Sequence, residues 1–455
     1  MGAEGPRFFA PRAWTDGGWS EDVLLSVDAQ GRWAEVRPDA PAAACRGART
    51  LPGAVLPGLV NGHSHAFQRA MAGLAERSGG AADDFWSWRE RMYRAALRIT
   101  PEQLEAIATQ LYGELLQGGY TQVCEFHYLH NDADGRPYAD PLELSLALVR
   151  AAQAAGIGLT LLPTLYVRSG FGATGLREDQ RRFGGTPDSI LRIAEAVNAL
   201  GLPRVNAGIA LHSLRAVDAG ALAEVTQAAR ARGWPVHVHV AEQQQEVDDC
   251  LAHHGQRPIA WLLEHAPIDA HWNLVHATHT TPGELHGLQS TGASIVICPS
   301  TEANLGDGVF DLPGWAAVSG RWAIGSDSHV TRCAAEELRL LEYSQRLALR
   351  RRNIAARAWN TDSSAAALLE GALDGGIAAA GLPLAGIAVG QRADFCVLDG
   401  EAPALAGVPA AQLLDAWMFS SPGAALTQVH VAGRPVPADG PQRRAAFVQA
   451  MQALW

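Results

Sequence analysis

Short apolar runs alternate along most of the chain with longer amphipathic segments, a rhythm that predicts repeated strand and helix units feeding a parallel sheet. Eight strands are expected, at residues 55–62, 121–127, 157–165, 206–212, 235–241, 273–278, 294–299 and 322–327. The intervening stretches, among them 101–117, 188–200, 219–232 and 336–350, carry apolar residues at helical spacing together with good helix formers. Eight such units suit an α/β fold of the TIM type, a (β/α)8 barrel, with an open doubly wound sheet as the alternative.

The texture changes at both ends. Residues 23–27 and 33–36 read as short strands between turns, and 392–399 and 426–433 read the same way. Neither end alone has enough strands to bury a face, so a small β-sandwich built from both ends is expected. The organisation predicted is residues 1–54 as the N-terminal part of that sandwich, 55–384 as the barrel, and 385–455 as the C-terminal part with a terminal helix.

Composition narrows the class. The 455 residues are 48% hydrophobic and 18% charged, with no tract apolar enough to span a bilayer and none polar enough to stay unfolded. The first residues, Met1-Gly2-Ala3-Glu4-Gly5-Pro6, lack the basic and apolar segments of a secretory signal, so the cytoplasm is the expected compartment. Cysteines 45, 124, 250, 298, 333 and 396 are scattered without CxxC pairing, which reads as reduced thiols. A formal charge of −11 with no basic stripe argues against a nucleic-acid partner. The chain has no lysine, and all 36 basic residues are arginine. A carbamylated lysine bridging two metals, Schiff-base chemistry and a P-loop are therefore excluded.

The strongest chemical signal is Gly62-His63-Ser64-His65, after the apolar run 55–60. Residues two apart in a strand point the same way, so the His63 and His65 imidazoles converge at a strand's C-terminal end, as two ligands of a borderline-soft divalent ion would. Other ligand types close other predicted strands: His237, His239 and Glu242 the fifth, His276 the sixth and Asp327 the eighth. In a barrel these ends open on one face, where catalytic groups gather.

In that order the residues resemble the amidohydrolase superfamily, and the loop 298–308 is similar to the one after the seventh strand in its deaminases. The resemblance implies that His63, His65, His239 and Asp327 bind one divalent metal, zinc in the first instance with ferrous iron as the alternative. It places His276 beside them as a water partner or occasional ligand. Two-metal members use a bridging lysine on the fourth strand; this chain has none, leaving a bridging glutamate or cysteine as the alternative to a single ion. His237 is expected to be structural, one layer down, and His279 and His329 to be loop residues. A metal of this kind acidifies a water. Asp327 and His276 would orient it and accept its proton, and Glu242 would shuttle a proton to a leaving nitrogen, which amounts to deamination of an amidine-like or ring C=N centre.

Four loop features point to a small, acidic, flexible substrate: Gln68 after the HxH, Arg89 within 84–93, Tyr128 after the second strand, and His212 with Arg215 after the fourth. Two arginines from different loops suit the two carboxylates of one molecule. The runs HSHAFQR (63–69), WSWRERMY (86–93), CEFHYLH (124–130) and LHSLRAV (211–217) resemble one deiminase branch of the superfamily, which makes Gln68, Arg89, Tyr128, His212 and Arg215 substrate contacts and a homodimer the expected assembly. Two alternatives are a one-metal deaminase of guanine, cytosine or an adenosine derivative, whose pocket favours aromatic stacking over paired arginines, and a non-catalytic barrel, in which metal ligands would be missing.

Overall fold

The computed structural model describes residues 5–76, 85–437 and 440–455, without the side chains of 85–87. Eight parallel strands follow one another around the barrel in chain order: Leu59–Ser64, Tyr120–His127, Gly158–Leu165, Ile209–Ser213, Val236–Val240, Trp272–His276, Ser294–Ile297 and Arg321–Ile324. They are almost wholly buried, as strands covered by helices must be. A short strand, Val205–Ala207, precedes the fourth and pairs with the third. Two covering helices begin and end where apolar spacing places them, Pro101–Gln117 and Ala219–Arg232. The first starts on a Thr100–Gln103 capping box with proline at its first position, and the second starts on the Asp218 side chain and stops at left-handed Gly233.

The barrel closes between its first and last strands at their C-terminal ends. The Asp327 amide donates to the His63 carbonyl (3.0 Å), and the His65 amide donates to the Asp327 carbonyl (3.2 Å). Asn61 adds a side-chain clamp, donating to the Ser326 hydroxyl (2.7 Å) while accepting from the Ser326 amide (2.9 Å). The two strands approach so closely that a Cβ on Gly325 would stand 2.7 Å from the His63 Cβ and 2.9 Å from its backbone nitrogen.

Both chain ends contribute to the second sheet, whose strands run in the order Arg434–Pro435, Leu426–Val431, Phe395–Leu398, Val55–Pro57, Arg7–Thr15, Gly18–Val27 and Trp33–Arg37, with Arg49–Thr50 beside Arg7–Thr15. Pairing is continuous, and the sheet folds over on itself: Trp33 at one edge exchanges backbone bonds with Gly390 and Gln391, ahead of the Phe395 strand. The two layers so formed enclose a core in which the Trp33 and Phe8 rings lie 5.5 and 5.2 Å from that of Phe395. No described helix is long and apolar enough to cross a membrane.

Two strand expectations are corrected: 206–212 is divided at Gly208 into Val205–Ala207 and Ile209–Ser213, and 55–62 is divided as well. The run 55–62 is two strands, broken at Gly58: Val55–Pro57 pairs with Phe395–Leu398 in the terminal sheet, and Leu59–Ser64 opens the barrel. Apolar continuity hid the break because both strands are fully buried. A Cβ on Gly58 would collide with the Thr121 side chain, so glycine is required where the chain passes from one sheet to the other. The strand Arg7–Thr15 was not anticipated from the sequence.

Gly325→Ala should force the first and last strands apart at His63, lowering stability by about 1–3 kcal/mol and metal content with it. Thermal melting with elemental analysis checks this, and wild-type values for both would contradict the tight closure.

Candidate metal centre and active site

His63, His65, His239 and Asp327 meet at the barrel mouth. The Nε2 atom of His63 lies 3.1 Å from that of His65 and 2.9 Å from that of His239, and Asp327 Oδ1 is 3.5 Å from His63 Nε2 and 3.4 Å from His65 Nε2. Alternation along the first strand aims the first two rings, and barrel closure delivers the aspartate. Two far ring nitrogens are held by backbone: His65 Nδ1 bonds the Phe126 carbonyl (2.8 Å) and His239 Nδ1 the His212 carbonyl (2.9 Å), while the buried His63 Nδ1 has no partner among the described residues. A carbonyl can only accept, so the Nδ1 atoms of His65 and His239 carry the proton and their Nε2 atoms turn a lone pair inward.

This arrangement fits a divalent metal. Burial first, then neighbouring histidines, holds the His63 and His239 pKa values well below the usual imidazole range, and burial also lowers that of His65. Protons are therefore disfavoured as the positive charge between these nitrogens. Tetrahedral coordination with bonds of about 2.05 Å has nitrogen–nitrogen edges of about 3.3 Å, close to the spacings of His63 from His65 and from His239.

His276 stands on the far side of Asp327. Its Nε2 is 3.7 Å from Asp327 Oδ2 and 3.8 Å from Glu242 Oε1, while its Nδ1 bonds Glu302 Oε1 at 3.3 Å. Burial lowers its pKa, but Glu242, Glu302 and Asp327 outweigh that and raise it to about 10. Burial pushes Glu242 up to about 7 against the opposing charge of His276. The backbone leaves the strands sharply here: Ala241, His276, Ala277, Asp327 and His329 all have φ between 46° and 69°, conformations that non-glycine residues adopt at a cost.

The expected substrate contacts gather on the opposite wall. Gln68 donates to the Tyr128 hydroxyl (3.0 Å), and its buried carbonyl oxygen has no partner among the described residues. The His212 ring lies 5.2 Å from that of His239 and 4.3 Å from that of Tyr166. Arg89 and Arg215 line one cavity of about 470 Å³, together with Ser169, Gly170 and Phe171. Burial lowers the Arg89 pKa, and Arg215 lowers it further; burial also opposes the charge of Arg215, but Glu246 and Glu242 overcome it. Trp86, within the same run as Arg89, has its side chain outside the described residues.

His237 is buried with Nε2 on the Ala379 carbonyl (2.9 Å), a structural position. His329 lies in a turn as expected but is fully buried, with Nδ1 3.0 Å from Ser326 Oγ and Nε2 3.4 Å from Ser64 Oγ. His279 is in a loop.

Three carboxylates were not anticipated as site residues. Glu302 orients His276 and accepts from the Cys298 amide (2.8 Å). Glu125 accepts from Ser64 Oγ and the Ala66 amide, each at 2.6 Å, and from the Tyr112 hydroxyl (3.2 Å), pinning the turn that holds His65. Asp307 accepts from Gln243, and burial, then Glu242, raises it to about 9. The sequence signal for Glu125 is only its place near the end of a barrel strand, and for Glu302 and Asp307 their place in the 298–308 loop.

The barrel, its imidazole and carboxylate cluster and the folded-over terminal sheet define a metal-dependent hydrolase, and the chain belongs to the amidohydrolase family, which it matches over residues 54–436. It is 50% identical to the formimidoylglutamate deiminase of Pseudomonas aeruginosa over 454 residues, covering 98% of this chain and 99% of that one. A 5-methylthioadenosine/S-adenosylhomocysteine deaminase of Halobacterium salinarum is 28% identical over 354 residues, covering 78% of this chain and 75% of that one. Among solved structures, an amidohydrolase from Brucella melitensis superposes with a TM-score of 0.92 at 42% identity, covering 99% of each chain.

His239→Ala removes one of three converging nitrogens while leaving the strand's apolar contacts in place. Bound metal should fall from one ion per folded chain to well below half, by elemental analysis after dialysis. A full ion in this variant would show that the cluster is not the binding site.

Proposed function

We propose that this chain hydrolyses N-formimidoyl-L-glutamate to N-formyl-L-glutamate and ammonia. The observation that carries the reading is the placement of Arg89 and Arg215, from different loops, on one cavity, with both charges acting on His212, whose ring adjoins His239. Two guanidinium groups match the two carboxylates of glutamate, and no nucleobase offers such a pair. Similarity to the Pseudomonas deiminase over almost the whole chain supports the same substrate.

His63, His65, His239 and Asp327 would hold the ion, zinc being the expected one and ferrous iron the alternative. When bound, it supplies Lewis acidity that brings the pKa of a water from ~15.7 toward ~7. Asp327 is built for two tasks: Oδ1 faces His63 and His65, and Oδ2, turned to His276, is free to take a proton. His276, held through Nδ1 by Glu302, presents Nε2 toward the same space and orients water there. Glu242, with its carboxyl pushed up to about 7, is partly protonated near neutrality and can pass a proton to the departing nitrogen. Addition of water across the formimidoyl C=N forms one C–O bond, the C–NH2 bond then breaks, and nitrogen leaves as ammonia. Gln68 and Tyr128 line the reacting end, while the arginines hold the glutamate end and keep the amidine carbon in register.

Purified metal-loaded protein should release ammonia from N-formimidoyl-L-glutamate and leave guanine, cytosine and S-adenosylhomocysteine unchanged; the reverse preference would refute the substrate. Arg89→Met should raise KM for the dicarboxylate by about 10- to 100-fold with metal content unaltered, read by steady-state kinetics. An unchanged KM would remove Arg89 from the binding site.

A further inference from the structure

The loop that carries Arg215 is held from the neighbouring strand's loop by an unusual set of bonds. Four successive carbonyls, Leu214 to Val217, face residues 167 and 168. The Ala216 carbonyl accepts from the amides of Val167 (2.9 Å) and Arg168 (3.1 Å). The Arg168 guanidinium takes the other three, with Nη2 donating to Leu214 (2.9 Å) and Val217 (3.1 Å) and Nε donating to Arg215 (3.1 Å). On the other side of the turn, the amides of Ala216 and Val217 both donate to the Ser213 carbonyl.

Carbonyls turned the same way form the negative end of a small dipole, as at a helix C-terminus, and a rigid planar fork of donors satisfies several of them at once. Among the described residues no carboxylate lies within ion-pair distance of Arg168, so its charge is directed at these dipoles. Its guanidinium carbon is 6.0 Å from the Phe171 ring centroid, and Ser169, Gly170 and Phe171 line the cavity that also holds Arg89 and Arg215. Arg168 thus ties together two walls of the carboxylate cavity.

We propose that Arg168 is a positioning residue that fixes Arg215, and through it sets the enzyme's preference for a dicarboxylate over an amidine without carboxylates. The inference rests on the substrate reading above. Arg168 itself touches backbone and not substrate.

The test is steady-state kinetics of Arg168→Met, Arg215→Met and the double variant, using N-formimidoyl-L-glutamate and, as a carboxylate-free amidine, N-propylformamidine. The ratio of kcat/KM for the first substrate to the second should fall about tenfold in Arg168→Met, through KM. In the Arg215→Met background the same substitution should change that ratio little, because residues acting through one another are not additive. Arg168→Lys keeps the charge without the fork and should give an intermediate ratio; it also carries the comparison should Arg168→Met fail to fold. Equal loss with both amidines, or full additivity with Arg215→Met, would overturn the proposal by showing general support of the barrel. If Arg215→Met itself leaves the ratio unchanged, the dicarboxylate reading fails and the proposal falls with it; an effect of Arg215→Met with a silent Arg168→Met overturns the positioning role alone.

Discussion

An imidazole nitrogen about 3 Å from two others, all three out of reach of solvent, is repelled by both unless a positive charge stands among them. His63 is in that position between His65 and His239, and burial makes protons a poor remedy. A divalent cation is the remedy that the donor set suits, and much of the surrounding structure holds the donors to it. Carbonyls of Phe126 and His212 fix the tautomers, Glu125 and Asn61 pin the turns, and the backbone bonds between His63 or His65 and Asp327 are the same bonds that close the barrel. Fold closure and ligand assembly are one event, which is why a methyl group at Gly325 would disturb both.

The charges beyond the cluster are sorted by wall. Carboxyl groups, Glu242, Glu302, Asp307 and Asp327, surround His276, and mutual repulsion with burial raises Glu242 and Asp307 toward or past neutrality. Guanidinium groups, Arg89 and Arg215, face the cavity on the other side of His212, where Asp249 is the one carboxylate among the lining residues. Such a division suits a substrate with an amidine at one end and carboxylates at the other: the basic end meets groups that hold and pass protons, and the acidic end meets fixed cations.

Much of this was readable from the chain because the informative patterns are local. Alternation in His63-Ser64-His65 states that two rings share a direction, and ligand types at the ends of apolar runs state which strands face the mouth. Helical spacing with good helix formers gave 101–117 and 219–232 to the residue, and the structure ends them on local caps at Thr100, Asp218 and Gly233. What was missed depends on partners far along the chain. Glu125 and Glu302 are visible only as acids near strand ends until Ser64 and His276 are placed beside them. The break at Gly58 was invisible because two buried strands with the same composition abut, and Arg168 resembles any surface arginine until the carbonyls of 214–217 are seen to surround it.

Anomalous diffraction at the metal edge, from crystals of the active, metal-loaded protein, tests the central claim most directly. The account predicts one strong peak per chain, within bonding distance of the Nε2 atoms of His63, His65 and His239 and of Asp327 Oδ1. The absence of a peak there, or a peak only among His276, Cys298 and Glu302, whose potential ligand atoms also lie within 4.8 Å of one another, would contradict it.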